Sequence, residues 1–475
     1  MKTYPLYLNG QFVTTTATPK LRVTNPSTLE PIAEVCTADR AQVAQAIKDA
    51  HAAFKSWREL TGMARGAYLH KIADEIEKRK DEIARAITQE NGKPLPQSNG
   101  EVAQTMDHLR WFAEEAKRFY GRIVPNQVNG KRHLIMKTPM GVVAAIGPWN
   151  FPLVLCVRKI APALAAGNTV IVKPASATPV CSMLFAECVA AAKLPAGVFQ
   201  VVSGSARDIA QEFLDNPLCR KITFTGSTEV GKSLIKGAAN QVKPLSLELG
   251  GHAPVIVFED ANLDVAIEGV MITKFRNTGQ SCIASNRIYV QRSIYDKFLE
   301  KFAQQTRAMK TGDGFEEGVG VGPVINEEGL NKALEHINDA VKRGARLICG
   351  GKRVDRKGYF LEPTILADVP AAAQCMNEET FAPVAPVVPF DTEAEVIALA
   401  NASQYGLSAY AFTRDLSRTF RVAEQLEAGT IGINDGVPTT SQCPFGGVKQ
   451  SGWGRELGIE GMDAFLETKH VSIGL

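Results

Sequence analysis

Apolar and polar residues change their spacing several times along the chain, and each change predicts a different kind of element. Residues 1–35 form short alternating runs, and Tyr7-Leu8-Asn9-Gly10-Gln11-Phe12 predicts a hairpin with an Asn-Gly turn. From residue 39 to about 91 apolar residues recur at helical spacing, and a further helix is predicted over 99–119. Residues 121–136 alternate again and predict a protruding hairpin. The first helical region has two predicted apolar faces, one of Val43, Ile47, Ala50 and Phe54, and one of Leu69, Ile72, Ile76, Ile83 and Ile87.

Short β-branched runs alternate with helical stretches from residue 141 onward. This order predicts an α/β fold with a parallel sheet covered by helices on both faces, and such sheets bind ligands at the carboxyl ends of their strands. The dinucleotide fingerprint GxGxxG is absent from the sequence. A second region of the same kind follows Gly250-Gly251. The predicted strands are 142–146, 169–172, 199–202, 222–225, 254–258 and 287–290, and the later predicted helices are 263–276 and 295–309.

One uncharged stretch, residues 138–157, has the length of a membrane span. Its centre is Gly147-Pro148-Trp149-Asn150-Phe151-Pro152, and two prolines in lipid would leave backbone groups without partners. We therefore predict a buried strand, a loop and a helix here, and no membrane partner.

Composition excludes several classes of protein. The 475 residues contain 53 Lys and Arg against 50 Asp and Glu, so no charge field favours nucleic acid. Nine cysteines form no CxxC pair, which favours a reducing compartment, and the N-terminus lacks the apolar core of a signal peptide. We expect a cytoplasmic protein. No His pair has metal-ligand spacing, so no metal site is predicted.

A P-loop pattern occurs at Gly226-Ser-Thr-Glu-Val-Gly231-Lys232-Ser233, after a predicted strand and before a helix. The run ending in Glu259-Asp260 offers a matching acidic strand. However, the loop interior has no glycine and carries Glu229 where a phosphate would lie. Ser227 or Thr228 is better interpreted as a helix N-cap, and nucleotide hydrolysis is a remote alternative.

Three residues have the chemistry of a catalytic centre. Cys282 lies in a tight segment after Gly279, which favours an accessible nucleophile, although a buried structural cysteine is the commoner case. Glu248 lies between two leucines, where burial would raise its pKa toward that of a general base, although a salt-bridged hinge residue is equally compatible. Asn150 offers a neutral amide donor to an oxyanion, although it could be a turn residue satisfied by the backbone.

In combination these residues and their neighbours resemble the NAD(P)-dependent aldehyde dehydrogenase superfamily, from about residue 5 to the C-terminus, and within it the succinate-semialdehyde dehydrogenases most of all. The motifs that carry the resemblance are Pro148-Trp149-Asn150-Phe151-Pro152, Lys173-Pro174-Ala175, Phe224-Thr225-Gly226-Ser227-Thr228, Leu247-Glu248-Leu249-Gly250-Gly251, Gly279-Gln280-Ser281-Cys282, Glu379-Thr380-Phe381-Ala382-Pro383 and Pro444-Phe445-Gly446-Gly447.

The resemblance implies a fold and a set of roles. The fold would combine a Rossmann-like cofactor domain, an α/β catalytic domain and a β oligomerisation element. Cys282 would attack the aldehyde, Asn150 would hold the oxyanion, and Glu248 would activate the hydrolytic water. The residues implied to bind the cofactor are Lys173 on the adenosine ribose, Gly226, Ser227 and Trp149 near the pyrophosphate, and Glu379 with Phe381 at the nicotinamide ribose.

Two departures from the family pattern are informative. Many NAD-preferring members have a glutamate where this chain has Ser176, and a serine can hydrogen-bond a 2′-phosphate beside Lys173. We therefore expect NAD or NADP as cofactor, with NADP accepted. Some relatives carry a second cysteine two residues after the nucleophile, but here the residue is Ala284, so that disulfide switch is not expected.

The resemblance also implies an anionic substrate. Arg158 and Arg276 match the two arginines that grip the distal carboxylate in succinate-semialdehyde dehydrogenases, although Arg158 and Lys159 could also be a solvated pair. A guanidinium at Arg276 would favour the Cys282 thiolate. A third residue that contacts this carboxylate in the family is a serine, and this chain has Thr439-Thr440 there.

Succinate semialdehyde is therefore the leading substrate. Glutarate semialdehyde and sulfo- or phosphono-aldehydes are the alternatives, and a noncatalytic, crystallin-like use of the fold is a further one.

The predicted domains follow from these placements. Residues 1–120 and 139–250 form the cofactor domain, to which 434–455 return, and 251–433 form the catalytic domain. Residues 121–138 and 456–475 form the oligomerisation element, because a strand-like C-terminus suits pairing at a sheet edge. A homodimer or homotetramer is expected.

Overall fold

The computed structural model describes residues 1–16 and 18–475. The N-terminal segment consists of short strands, as predicted. Leu8 lies opposite Gln11, so Asn9 and Gly10 form a two-residue loop with φ of 48° and 78°, which confirms the Asn-Gly hairpin. The first five strands are β1 (Lys2–Tyr4), β2 (Leu6–Leu8), β3 (Gln11–Val13), β4 (Leu21–Thr24) and β5 (Pro31–Val35).

Four helices follow, one more than the sequence pattern separates. The region up to Asn91 is broken at Arg79, whose backbone (φ −120°, ψ 15°) is not helical. The helix predicted over 99–119 begins four residues earlier, at Leu95, because a proline in the first turn, Pro96, gives up no intrahelical N–H bond. The predicted apolar residues are buried, apart from a half-buried Phe54. These helices are α1 (Arg40–Trp57), α2 (Gly62–Lys78), α3 (Lys80–Asn91) and α4 (Leu95–Glu115).

The region from 121 to 248 contains the predicted hairpin and alternating strands and helices. The charge-free stretch at 138–157 forms the end of one strand, a second strand, a loop and the start of a helix, as predicted. The elements are β6 (Arg122–Val124), β7 (Lys131–Pro139), β8 (Val142–Ile146), α5 (Val154–Ala166), β9 (Thr169–Lys173), α6 (Val180–Ala191), β10 (Phe199–Val201), α7 (Ala206–Asp215), β11 (Cys219–Thr225), α8 (Thr228–Ala238) and β12 (Leu245–Glu248). No helix among the described residues is long and apolar enough to cross a membrane.

The second α/β region follows Gly250-Gly251 and ends with a return to the first. Its early elements lie within one or two residues of their predicted bounds. The elements are β13 (Ala253–Val257), α9 (Leu263–Phe275), β14 (Ser285–Gln291), α10 (Tyr295–Ala308), β15 (Lys310–Thr311), β16 (Val319–Val321), α11 (Glu327–Lys342), β17 (Arg346–Cys349), β18 (Thr364–Ala367), α12 (Gln374–Asn377), β19 (Val384–Phe390), α13 (Glu393–Asn401), β20 (Tyr405–Gly406), β21 (Ser408–Phe412), α14 (Leu416–Gln425), β22 (Thr430–Ile433), β23 (Val448–Lys449), β24 (Gly452–Trp453), α15 (Gly458–Asp463) and β25 (Leu466–Gly474).

The first sheet has eight strands in the order β24-β12-β11-β8-β9-β10-β2-β3. Its five central strands, β12 to β10, are parallel. Val143 and Ala145 point to a core with α2 to α6, whereas Val142 and Ala144 point to a core with α1, α7 and α8. The sheet is thus covered on both faces, and the predicted α/β fold is confirmed.

The second sheet has seven strands in the order β17-β18-β19-β14-β13-β21-β22, and only β17 is antiparallel to its neighbour. A third sheet joins the C-terminal strand β25 to β7 and β6, with Leu466 opposite Pro139 and Gly474 opposite Lys131. This sheet exposes apolar side chains, including Ile123 at 75%. The segment before β25 does not belong to this third sheet: its helix α15 packs on α5.

Candidate active site

Cys282 follows a tight turn at Arg276–Gly279 and precedes β14. Three consecutive residues in that turn have positive φ: Asn277 (50°), Thr278 (60°) and Gly279 (72°). Such backbone costs a non-glycine residue about 1–3 kcal/mol. At Gly279 a Cβ would lie 2.2 Å from the carbonyl oxygen of Ala382, so this position requires glycine. The strained turn presents a partly exposed thiol.

The loop of Asn150 lies between β8 and α5 and is held by buried polar groups. Its backbone carbonyl accepts hydrogen bonds from Asn277 Nδ2 at 2.8 Å and Lys93 Nζ at 2.7 Å. Lys93 also pairs at 2.7 Å with Glu101, and both side chains are fully buried. Glu101 in turn accepts from the backbone N–H of Leu153 at 2.9 Å. The loop is thereby tied directly to the segment that carries Cys282.

The Asn150 side chain keeps a free donor. Its Nδ2 donates to the carbonyl of Gln280 at 3.1 Å. An amide nitrogen has two N–H groups, and among the described residues the second finds no acceptor. The alternative of a turn residue satisfied by the backbone therefore holds for one of the two N–H groups of Asn150. The second N–H is available to an oxyanion.

Glu248 ends β12 and is buried, with Oε2 making no hydrogen bond to any described residue. Burial raises its pKa well above the ordinary value, and the nearby Glu456 carboxylate raises it further, while Lys159 and Arg158 oppose the rise. No ion pair to Glu248 occurs in residues 1–16 and 18–475, so the salt-bridged alternative finds no support. A buried carboxyl with a raised pKa suits a general base.

The Cys282 thiol differs from the sequence expectation. Burial raises its pKa to about 12, and the charges of Glu379 and Glu248 act in the same direction. Arg158 is the guanidinium that opposes this rise, and Arg276 is not the main stabiliser of a thiolate. The prediction of a favoured resting thiolate is wrong, because loss of hydration outweighs one neighbouring cation.

Alkylation of Cys282 in the cofactor-free protein is expected to become about tenfold faster per pH unit from pH 7 to pH 9, without a plateau. A thiol with a pKa of about 12 gains thiolate throughout this range as the pH rises. The measurement is iodoacetamide labelling followed by mass spectrometry of the peptide that contains Cys282. A Cys443→Ser background removes an exposed competing thiol. A plateau below pH 9 would show that the resting thiol has a low pKa.

Arg158 lies on α5 and is 6% exposed, while its neighbour Lys159 is fully buried. The solvated-pair alternative is therefore wrong. Arg158 Nε donates to His108 Nε2 at 3.3 Å, and its guanidinium lies 5.1 Å from the centre of the Phe445 ring. Its terminal Nη groups bond to none of the described residues. The charges of Cys282 and Glu248 act on it, so an anion-binding edge lies beside the nucleophile and the carboxyl.

Arg276 is half-buried and lies over the ring of Phe151, 5.1 Å from its centre. Lys93 lies 4.0 Å from the same ring. The Arg276 guanidinium makes no hydrogen bond within the described part of the chain. It can therefore bind an anion without breaking an existing bond.

The two threonines differ in what they offer. Thr439 Oγ1 is buried and has no hydrogen-bond partner among the residues described. Thr440 is exposed, and its hydroxyl donates to Gln442. A buried unpaired hydroxyl is costly, so Thr439 is the one that would gain from a polar substrate group.

The residues expected to bind a cofactor lie along the carboxyl edge of the first sheet. Ile146 and Lys173 are neighbours at the ends of β8 and β9. Lys173 Nζ is buried, and among the described residues its single hydrogen bond goes to its neighbour's carbonyl, Pro174 O, at 3.1 Å. Ser176 is exposed. A buried cation with unused donors beside an exposed hydroxyl fits a phosphorylated ribose.

The remaining cofactor candidates lie closer to the thiol. Gly226 precedes α8, which Ser227 caps through Val230 N. Glu379 accepts from Gly251 N at 3.2 Å, and burial raises its pKa to about 8. The rings of Trp149 and Phe381 meet edge to face at 5.4 Å. The first N–H groups of α8 can donate to a pyrophosphate, and the two rings offer apolar surfaces nearby, which together fit a dinucleotide.

The P-loop alternative is not supported by the geometry. Its loop belongs to β11 and α8 in the first sheet, whereas the acidic strand is β13 in the second. Asp260 is already bonded to Thr413 and to Arg418, which lies 2.7 Å away. Lys232 is exposed. These residues do not come together as a nucleotide and magnesium site would require.

The sequence pattern did not identify the residues that position this site. The sequence pattern gives no functional role to Lys93, Glu101 or His108, which it places in or beside predicted helices. It places Glu456 in the predicted oligomerisation element. Glu456 forms a buried ion pair with Lys159 across 297 positions of sequence. No local signal marks contacts of such range.

Comparison with known proteins gives consistent matches. A model of the aldehyde dehydrogenase family matches residues 12–471. The chain is 47% identical to the NADP(+) succinate-semialdehyde dehydrogenase GabD of Escherichia coli, covering 98% of this chain and 97% of that protein. It is also 47% identical to a glutarate-semialdehyde dehydrogenase of Pseudomonas putida, covering 99% and 97%. The solved structure of an E. coli NADP-dependent enzyme superposes with a TM-score of 0.98 at 46% identity, covering 100% of this chain and 98% of that one.

Proposed function

Since the chain belongs to the aldehyde dehydrogenase family, we propose that it oxidises succinate semialdehyde to succinate with NAD or NADP. The chain is an oxidoreductase, as the sequence resemblance predicted. The observation that carries the choice of substrate is the pair of guanidiniums, Arg158 and Arg276, with donors unused in the described structure. Together with Thr439 Oγ1, they offer an anionic tail three polar contacts.

In the proposed reaction the Cys282 thiol loses its proton to solvent, and the sulfur then attacks the aldehyde carbon and forms a thiohemiacetal. Its oxyanion receives hydrogen bonds from the free N–H of Asn150 and the backbone N–H of Cys282. Losing one such donor typically costs about 3–4 kcal/mol of barrier. The hydrogen bonds that fix the Asn150 loop mean that this donor is oriented before substrate binds.

Loss of hydride from the thiohemiacetal carbon leaves a thioester on Cys282. When bound, a nicotinamide dinucleotide supplies the hydride acceptor, and Lys173, Ser176, Ser227, Trp149, Glu379 and Phe381 would hold it. Glu248 then takes a proton from water, which attacks the thioester and releases the acid and the thiol. Its raised pKa makes the carboxylate a stronger base.

Replacing Arg276 by glutamine is expected to lower kcat/KM for succinate semialdehyde about 10²-fold, because a charged contact to the substrate carboxylate is lost. Butanal, which has the same chain length and no charge, should lose less than about threefold. The measurement is steady-state kinetics with both aldehydes. Arg276→Lys is the matched control, which keeps the charge but not the planar guanidinium. Equal losses for both aldehydes would contradict the anion clamp.

Replacing Ser176 by glutamate is expected to lower kcat/KM for NADP about 10–100-fold and to leave NAD within about threefold, because a carboxylate repels a 2′-phosphate and removes its hydrogen bond. Ser176 is exposed, so the substitution should not disturb folding. Ser176→Ala is the control that removes the hydroxyl without adding charge. An unchanged NADP to NAD ratio would contradict the role of this position.

Glutarate semialdehyde is the second candidate, favoured by the Pseudomonas putida relative at the same 47% identity. The two substrates differ by one methylene, which a pocket distinguishes by only about 1–3 kcal/mol. Turnover of the two semialdehydes and a sulfo-aldehyde, measured side by side, decides between them.

We propose a homodimer or homotetramer assembled through residues 121–138 and 456–475. The sheet β25-β7-β6 supports this, because it exposes apolar side chains such as Ile123 and Met136. The proposed domains, with a cofactor domain before Gly250-Gly251 and a catalytic domain after it, are consistent with the two separate sheets.

A further inference from the structure

A chain of hydrogen bonds runs from Arg158 to the protein surface. Arg158 Nε donates to His108 Nε2 at 3.3 Å, and His108 Nδ1 lies 2.7 Å from Ser441 Oγ. Ser441 Oγ in turn donates to Asp107 Oδ2. His108 is fully buried and Ser441 is 1% exposed, whereas Asp107 is exposed. The chain joins α4, α5 and the loop after β22.

Only one arrangement of protons satisfies every member of this chain. Arginine has no acceptor, so His108 must accept at Nε2 and carry its proton on Nδ1. Nδ1 then donates to Ser441, which leaves the serine proton for Asp107. The imidazole is neutral, in agreement with a pKa that burial and the charge of Arg158 lower well below the ordinary value.

A neutral partner has a consequence for Arg158. Within the described chain Arg158 forms no ion pair: the charges of Glu456 and Glu248 act on it without contact, and Asp107 is separated from it by two hydrogen-bonded groups. His108 therefore fixes the guanidinium without cancelling its charge, and the Phe445 ring supports one face at 5.1 Å. The two Nη groups are left oriented and without hydrogen-bond partners among the described residues.

The same chain also fixes a second tail contact. Ser441 lies two residues after Thr439, and its carbonyl accepts from Gly458 N at 2.9 Å. Anchoring Ser441 at both its side chain and its backbone restricts the loop that carries the buried, unpaired hydroxyl of Thr439.

We propose that His108, Ser441 and Asp107 are positioning residues that hold Arg158 and Thr439 for the anionic tail of the substrate, and so determine the preference for anionic over uncharged aldehydes. This inference rests on the proposed function. None of the three residues takes part in bond making, so their loss should act on KM for anionic substrates and leave kcat nearly unchanged.

The test compares His108→Leu and Ser441→Ala with the parent enzyme, using succinate semialdehyde and butanal. We expect His108→Leu to raise KM for succinate semialdehyde about 10–50-fold and Ser441→Ala about 3–10-fold, from the worth of hydrogen bonds to charged and neutral groups. In both variants kcat and the kinetics with butanal should change less than about threefold. His108→Gln, which can still accept from Arg158, should recover most of the loss.

A double variant separates a connected chain from independent contacts. Because Ser441 reaches Arg158 through His108 but also anchors the Thr439 loop through Asp107, the double variant should be worse than His108→Leu alone by less than the full effect of Ser441→Ala. Thermal unfolding checks that each variant is folded, and Ser441→Ala, a small truncation, serves if His108→Leu fails to fold. Parallel losses with both aldehydes, or unchanged KM values, would overturn the inference.

The proposed function and the positioning chain are refuted by different results. If the parent enzyme does not prefer succinate semialdehyde to butanal, the anion clamp itself is wrong. If the parent shows that preference, Arg276→Gln removes it, and the His108 and Ser441 variants retain it, only the positioning chain is wrong.

Discussion

Replacing Cys282 by serine lowers aldehyde oxidation about 10⁴-fold or more, as expected when the only nucleophile of a covalent mechanism is removed. A serine hydroxyl is a far weaker nucleophile, and no second thiol of the chain lies within two positions because residue 284 is alanine. The measurement is the formation of reduced nicotinamide from succinate semialdehyde, with NAD and with NADP. Full turnover in this variant would refute the proposed chemistry as a whole.

Two controls make the Cys282 result specific. Cys443→Ser removes an exposed thiol and should leave turnover within about twofold. Lys232→Ala removes the lysine of the P-loop pattern. It should leave aldehyde oxidation intact, whereas a nucleotide hydrolase would lose its activity. ATP hydrolysis abolished by Lys232→Ala would revive that alternative.

Replacing Glu248 by glutamine lowers steady-state turnover about 10²–10⁴-fold, because the thioester on Cys282 is no longer hydrolysed with the help of a base. The first turnover should survive, since sulfur attack and hydride loss precede the water step. Rapid mixing should therefore show a burst of about one reduced nicotinamide per active site, followed by almost no further turnover.

The matched control for Glu248 is Glu268→Gln on α9, which makes the same chemical change at an exposed carboxylate. It should leave both the burst and the steady state unchanged. A Glu248→Gln variant that loses the burst and the steady state equally would move the role of this carboxyl from hydrolysis to the first attack.

The regular elements were predicted well where the signal is local. The strands 142–146 and 169–172 differ from β8 and β9 by at most one residue, because β-branched runs between turns report burial in a parallel sheet directly. The start of α4 and the break at Arg79 were missed. A proline in a first helical turn and a residue with ordinary helical composition give no clear boundary signal.

The candidate site was predictable in its reacting groups and not in its surroundings. Motifs identified Cys282, Glu248 and Asn150, and the structure groups the first two electrostatically with Arg158. The resting state of the thiol was predicted wrongly, because the degree of burial depends on segments distant in sequence. The partners of Arg158 were missed for the same reason, since His108 and Ser441 are 333 positions apart. Family, fold and enzyme class are confirmed, while the individual residue roles and the domain limits stay predictions.

The edge of the first sheet has a consequence for biosynthesis. β12, which ends in Glu248, pairs on its outer side with the edge strand β24, where Gly452 lies opposite Glu248. Glu456 and the strand β25, which pairs with β7, come later still. Nearly the whole polypeptide must therefore be synthesised before β24 can pair with β12 beside the Glu248 carboxyl. Chains that end before β24 would leave the edge of β12 unpaired, and an unpaired edge favours aggregation.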